Sequence, residues 1–241
     1  MQFRSVSYCA LLGLYFALCE PPCFAAELSR EDVVAIIAEA GAQRPKFAKK
    51  DLSGLDLSGI DFNKADLFSA NLDGAKLIAA RLIGANLNLA RLRNVNLQNA
   101  DLSGASLYGV VMENADLSGA DLSSSRVTGL LNNVNLTGAN LNKANLGPNS
   151  GSPRKRFDKL EMNNAILNNA DLRGANFNHA LMRNTSLNKA DLSGGQFIWV
   201  DFSGANLEGA TISGADFRSA KFGGANVNNV SGADKALGFK Q

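Results

Sequence analysis

Ala65-Asp66-Leu67-Phe68-Ser69-Ala70-Asn71-Leu72-Asp73-Gly74-Ala75-Lys76-Leu77 repeats every five residues: a small residue, Asp or Asn, a large apolar residue, then two turn formers. Taking the large apolar residue as the centre of each unit, centres fall from Leu52 to Val127, from Leu131 to Leu146 and from Phe157 to Val227. All 35 such positions hold Leu, Phe, Met, Ile or Val, and Ala stands two residues earlier in 22 of them, so the period runs through most of the chain. A five-residue period fits neither straight regular structure. On a strand, residues five apart point to opposite faces. On a helix they advance by about 140°, so the centres would wind around the cylinder without forming a stripe. The centres can all point inward only if the chain turns once per pentapeptide. Gly or Asn two residues after the centre, as at Gly54, Gly74, Asn94 and Gly104, supplies the positive φ that such corners demand.

The spacing of like residues sets the number of corners. Phe157, Phe177, Phe197 and Phe217 recur at twenty residues, Met162 and Met182 lead to Phe202 and Phe222, and Leu167, Leu187 and Leu207 lead to Val227. Four pentapeptides per coil give a square tube whose storeys align. The expected fold is therefore an all-β solenoid, a quadrilateral parallel β-helix. One large and one small inward residue per side fill its interior. The Asp or Asn before each centre lies at the outer wall, within reach of local backbone.

Outside the repeat, residues 1–26 read as a secretory signal. Arg4 precedes an apolar run from Cys9 to Leu18, Pro21 and Pro22 break it, and Ala25/Ala26 mark the cleavage site. The run is too short to span a bilayer as a helix, although an uncleaved anchor is the alternative. The neighbours of Cys19 and Cys23, Leu18 and Pro22, do not suit a lipoprotein. Cys9, Cys19 and Cys23 all lie in this segment, so the mature chain is expected to have no disulfide and no thiol chemistry. The expected destination is the periplasm or the extracellular space.

Residues 27–50 are expected to hold a capping helix over 28–41 and a connector. Ser29 and Asp32 form a capping box, Leu28 and Val33 a hydrophobic staple, Val33, Val34, Ile36 and Ile37 an apolar face, and Gly41 the stop. Repeat stacks expose edges and core at their ends and need such lids. Residues 51–146 and 157–230 form the two parts of the solenoid. After Val127 the period shortens by one residue. Residues 147–156, Gly-Pro-Asn-Ser-Gly-Ser-Pro-Arg-Lys-Arg, form an inserted surface loop with a basic tip at Arg154, Lys155 and Arg156. Residues 231–241 form a tail; it either covers the last coil or leaves it to pair end to end with a second copy.

The chain offers little for catalysis. The formal net charge is +2, from 24 basic and 22 acidic residues, which favours neither a nucleic-acid binder nor an acidic decoy. His179 is a single imidazole at a corner. No nucleophile elbow, phosphate loop or metal motif occurs, so no enzyme, metal or cofactor is expected. Asp columns such as Asp101/Asp121 and Asp171/Asp191 follow from the repeat itself. An enzyme built on one of them would lose activity, with its fold intact, on a single Asp→Asn change. The outward positions that break the polar pattern are Phe68 and Tyr108, two coils apart on one face, and Ile198 and Trp199. With the basic loop tip they are the candidate contacts for a partner.

The Ala-Asp/Asn-Leu-x-x repeat over residues 51–230 resembles the pentapeptide-repeat family. That resemblance implies a right-handed helix, a non-catalytic protein and, for the best understood subgroup, protection of DNA gyrase by an acidic surface imitating duplex DNA. Lys76, Arg81, Arg91, Arg126, Arg156 and Lys221 stand here where Asp or Asn is usual, and an export signal would separate the chain from gyrase. No functional residue carries over from the family. The leading expectation is an exported scaffold that binds a protein, with gyrase protection as the alternative.

Overall fold

A computed structural model of the chain describes residues 28–148 and 159–239. Residues 1–27, which include the segment read as a signal, and residues 149–158, with Phe157 and the basic tip at Arg154, Lys155 and Arg156, lie outside the described residues. The chain winds as a four-sided solenoid in which each side is one pentapeptide. Parallel bridges join residues twenty apart, such as Asp51 to Asn71 and Asn71 to Arg91. The sides are numbered here as faces 1 to 4 in chain order, beginning with those that bear Lys46, Asp51, Asp56 and Asp61. The centres fill the tube: Leu52, Leu57, Phe62 and Leu72 are fully buried, and so are the small residues Ala70 and Ala80. Phe177 stacks on Phe197 with ring centroids 5.5 Å apart, and Phe197 on Phe217 at 5.1 Å, so the twenty-residue columns are real vertical neighbours.

The repeat begins five residues earlier than the sequence suggests. Lys46 bridges Asp66, Phe47 is fully buried, and Lys49 takes the corner conformation at φ 61°. Residues 46–50, read as connector, are therefore the first side of the tube. Ahead of them lies α1 (Arg30–Ala40), with both halves of the Ser29/Asp32 capping box formed. Val33 is fully buried and Leu28, Ile36 and Ile37 pack on the core, but Val34 is 48% exposed. One residue turns a helix by 100°, which carries Val34 off the face that Val33 occupies. The helix also supplies what the first coil lacks. Elsewhere in the wall, carbonyls such as those of Lys76 and Ile78 accept N–H groups from the coil before. Asp56 and Ser58 have no coil before them, and the guanidinium of Arg30 donates to both carbonyls, at 2.5 and 3.1 Å.

The Asp or Asn before each centre accepts the N–H two residues on, as Asp51 Oδ1 does from Ser53 at 3.0 Å and Asp121 Oδ1 from Ser123 at 2.7 Å. Where another residue stands there, the N–H is often taken by the Asn or Asp one storey below. Arg81 replaces the usual acceptor, and Ile83 N–H goes to Asn63 Oδ1 at 3.0 Å. Ser106 does likewise, and Tyr108 N–H goes to Asn88 Oδ1 at 2.9 Å; Gln196 does so too, and Ile198 N–H goes to Asn178 Oδ1 at 2.9 Å. Asn188 has the same station, but Asn206 above it already holds Glu208 N–H, and Asn188 Oδ1 is left without a partner. Removing one acceptor from a wall bond costs about 1 kcal/mol. Asn88→Ala, which also strips the Ser106 hydroxyl of its acceptor, is thus expected to lose at least that much in a urea titration. Asn188→Ala should lose under about 0.5 kcal/mol.

The one-residue shortening is absorbed as a bulge. Strand β1 (Ser106–Val111) has six residues and β2 (Arg126–Leu130) has five; Leu107 faces Val127 and Val110 faces Gly129, leaving Tyr108 and Gly109 opposite Thr128 alone. Gly109 N–H finds the buried Thr128 hydroxyl at 3.1 Å. Above them β3 (Leu160–Glu161) continues the face from Gly129 and Leu130. The described wall breaks off after Pro148 on face 1 and resumes at Lys159, ahead of face 2. Because Asn145 bridges Asn176 directly, Leu146 lies beneath Phe177, thirty-one residues on in the chain. Among the described residues, the second part of the solenoid takes up the wall at Leu160.

Candidate functional site

Face 1 collects the outward aromatic residues that break the pattern, whereas outward apolar residues such as Ile83, Leu130 and Ile166 lie on other faces. The bridges of face 1 run from Asp66 through Asn86, Ser106, Arg126, Asn145, Asn176 and Gln196 to Asp216. Phe68, Tyr108, Ile198 and Trp199 each follow the centre of one of these units, so the two pairs singled out in the sequence lie along a single wall. Two residues join them. Leu89 sits at the corner between Phe68 and Tyr108, and His179 lies one storey below Trp199, their rings 6.5 Å apart and 7° from parallel. The twenty-residue spacing of His179 and Trp199 was the signal that could have found this pair. Trp199 is 59% exposed, whereas Phe68, Tyr108 and Ile198 are half-buried.

The wall beneath these side chains is held by amides. Asn88 Oδ1 accepts Tyr108 N–H and, at 2.7 Å, the Ser106 hydroxyl. Asn178 Nδ2 donates to Gln196 Oε1 at 3.1 Å while its own oxygen holds Ile198 N–H. The bulge at Gly109 lies directly under Tyr108, and bulges commonly re-aim a neighbouring side chain. Among the described residues of face 1 between Asn86 and Trp199, formal charge is carried by Arg126 and, at the corner below His179, by Lys159, which pairs with Glu161 at 3.1 Å. Aromatics, Asn, Ser and Gly on a rigid backing lose little conformational entropy on contact and accept varied polar partners.

The other walls are occupied with their own charges. Face 4 carries the Asp columns, but Asp101, Asp121 and Asp191 each hold the N–H of Ser103, Ser123 or Ser193. Asp171 is bonded by Arg173, which holds its carboxyl below the usual range. On face 2, Arg91 reaches Asp73 at 2.5 Å, and Arg183 reaches Asp201 at 2.7 Å. Of the bases that replace Asx, Arg91 thus answers an acid a storey away, as Arg81 also answers Asp61 at 3.7 Å. No cluster of three His, Cys, Asp or Glu that could hold a metal occurs among the described residues. No helix among them is long and apolar enough to cross a membrane.

The family model of pentapeptide repeats matches residues 51–84, 70–107, 85–123, 165–204 and 196–231. Solved structures that resemble the chain include HetL, a pentapeptide repeat protein involved in heterocyst differentiation regulation in the cyanobacterium Nostoc sp. strain PCC 7120. It is 24% identical, over 89% of this chain and 99% of that one, with a TM-score of 0.37. A pentapeptide repeat protein of the Arabidopsis thaliana thylakoid lumen is 28% identical over 43% of this chain and 73% of its own, with a TM-score of 0.39. Full-length QnrB1, a plasmid-mediated fluoroquinolone resistance protein, is 17% identical over 72% and 89%, with a TM-score of 0.38. No curated protein matches the sequence.

Proposed function

Because the chain belongs to the pentapeptide-repeat family, whose fold is the right-handed quadrilateral β-helix, we propose that it is a non-catalytic scaffold that binds a protein partner through face 1. The observation that carries this reading is the alignment of Phe68, Tyr108, Ile198 and Trp199 along one low-charge wall, while Arg91, Arg173 and Arg183 on other walls pair with neighbouring acids. Exposed aromatics over a rigid, hydrogen-bonded base are the anchors that dominate protein contacts. The proposal includes export, with residues 1–26 removed near Ala25/Ala26. A duplex-DNA mimic acting on gyrase would need a continuous acidic wall. Arg81 stands within the column from Asp61 to Asp101, and Arg173 sits beside Asp171 and Asp191, which favours the protein-binding reading.

The test compares the tagged chain with Trp199→Ser. Serine is tolerated at such corners, as Ser124 and Ser219 show at φ 56° and 61°, so circular dichroism and melting should not change. Capture from the exported fraction with quantitative mass spectrometry is expected to enrich a specific protein and to lose it about tenfold or more on the substitution, the scale of an aromatic anchor. The same experiment reads the N-terminal residue of the recovered chain. An identical catch from both proteins, or none from the wild type, sinks the binding role; an intact first residue in every fraction sinks export alone.

A further inference from the structure

Face 1 holds a cation that nothing in the chain answers. Arg126 is half-buried, its Nη2 is closed off from solvent, and its side chain makes no hydrogen bond or ion pair among the described residues. Arginines on the other walls are answered: Arg91 by Asp73, Arg173 by Asp171 and Arg183 by Asp201. The difference lies in the neighbouring positions. A side chain just before a centre meets the one just after the centre a storey below, eighteen residues back; that relation joins Arg91 to Asp73 and Gln196 to Asn178. For Arg126 the residue so placed is Tyr108, which brings no negative charge. The position two residues ahead, from which Arg173 reaches Asp171, is taken by the buried Thr128, whose hydroxyl holds Gly109 N–H. The nearest acids on face 1 itself, among the described residues, are Asp66 and Asp216, three storeys below and four above. At about 4.8 Å per storey they stand roughly 14 and 19 Å away. Across a wet surface such distances are screened.

A guanidinium without a counter-charge is tolerable while part of it stays wet. Covering the rest without a partner makes it costly. Arg126 belongs to the fourth of the seven units that run up face 1 from Asp66 to Gln196, midway between Phe68 and Trp199. A protein laid along those aromatics therefore covers it. We propose that the partner segment docked on face 1 carries an aspartate or glutamate whose carboxylate meets Arg126, with apolar side chains to either side for Tyr108 and for Ile198 and Trp199. This rests on the reading of face 1 as the docking wall and adds the chemistry of what docks there. Charge-assisted hydrogen bonds from a guanidinium are strong and directional, so Arg126 sets the register of the segment. An otherwise similar segment without the acid would bury the cation unpaired and be rejected. Lys159 does not compete for the carboxylate, since Glu161 already holds it at 3.1 Å.

The probe is a phage-displayed library of random peptides selected on the full wild-type chain. Peptides whose binding is lost on Trp199→Ser should carry an Asp or Glu among apolar residues. Arg126→Gln should weaken them about thirtyfold or more, and Arg126→Lys, which keeps the charge but not the planar fork, should weaken them less. Changing the peptide's acid to its amide should cost a similar factor on the wild type and almost nothing on Arg126→Gln, the signature of one direct pair. Trp199-dependent peptides that carry no acid, or that bind Arg126→Gln as well as wild type, overturn the acid contact and leave the docking wall standing. A library that yields no Trp199-dependent peptide sinks both. Melting gives a check that needs no ligand. Arg126→Gln should melt no lower than wild type, whereas Arg183→Gln, which strips the nearly buried Asp201 carboxylate of its guanidinium, should melt lower. An equal drop in the two variants would mean that Arg126 already has its counter-charge within the chain, and the proposal would fall.

Discussion

Gly129→Ala is expected to destabilise the protein by at least about 3 kcal/mol or to prevent folding, against about 1 kcal/mol for Gly54→Ala. Both glycines have positive φ, yet their surroundings differ. Gly54 is an ordinary corner at φ 69°, with nothing within 4 Å of where a Cβ would lie. Corners of that kind hold Asn, Ser, Lys and even Trp199 elsewhere in the wall, so the cost of a side chain there is only the left-handed backbone. Gly129 has φ 128°, which no other residue with positive φ approaches, and a Cβ there would overlap the carbonyl oxygen of Val110 and lie 2.8 Å from its nitrogen. Those atoms belong to the wall of the storey below and cannot rotate away. The bulge needs glycine because β2 must cover in two residues, Val127 to Gly129, what β1 covers in three. Urea titration of the two variants checks the difference; a loss at Gly129 no larger than that at Gly54 would mean the bulge is soft. Thr128→Val separates strain from bonding, since it leaves the backbone alone and deprives Gly109 N–H of its acceptor at about 1–3 kcal/mol.

The same bulge marks where the sequence stops being self-explanatory. The five-residue period fixes the inward residues, and the twenty-residue recurrence of Phe177, Phe197 and Phe217 fixes four sides, because a narrow tube admits only one way to align bulk. Within an unbroken run, the spacing also places Phe68 beneath Tyr108. It could not relate Tyr108 to Trp199, since between them one storey is a residue short and another contains the insert. Asn145 pairs with Asn176, thirty-one residues on, and only the backbone bonds disclose that this is still one step up face 1. Twenty residues before Phe177 is one storey down only when no residues have been inserted, and here Leu146, thirty-one residues before it, fills that place. Compensation in the wall was equally hidden. Ser106 and Gln196 look like lost acceptors until Asn88 and Asn178, one storey down, are seen to take the orphaned N–H groups. Such pairs are local in space and remote in sequence, which is where reading by periodicity loses its footing.

Phe197→Ala should remove about 4 kcal/mol, the usual toll for deleting a buried aromatic and leaving its cavity. Phe197 is fully buried, with Phe177 below it at 5.5 Å, Phe217 above it at 5.1 Å and Phe202 beside it at 5.9 Å, so no neighbour is free to collapse into the space. Each stacked pair lost adds about 0.5–1.5 kcal/mol to the area term. In a solenoid each storey touches only the next, so a hole here should uncouple the storeys above from those below. Hydrogen exchange is expected to show residues from Phe197 to Phe239 opening before the Leu-filled coils from Leu67 to Leu122, which wild-type protein should protect more evenly. Phe222→Ala is the control, since that ring is half-exposed at the last coil and its removal leaves a recess that water can fill. Phe197→Leu keeps the protein folded if the alanine variant fails, because Leu87 and Leu107 occupy the same column. It also tests why Gly195 replaces the usual Ala. A Cβ at Gly195 would lie 2.6 Å from the Phe197 ring at Cε2, so Gly195→Ala should be costly with Phe197 and nearly neutral with leucine there. A coupling energy near zero between the two positions would show that glycine serves the backbone and not the ring, and would weaken the claim that this column is packed to its limit.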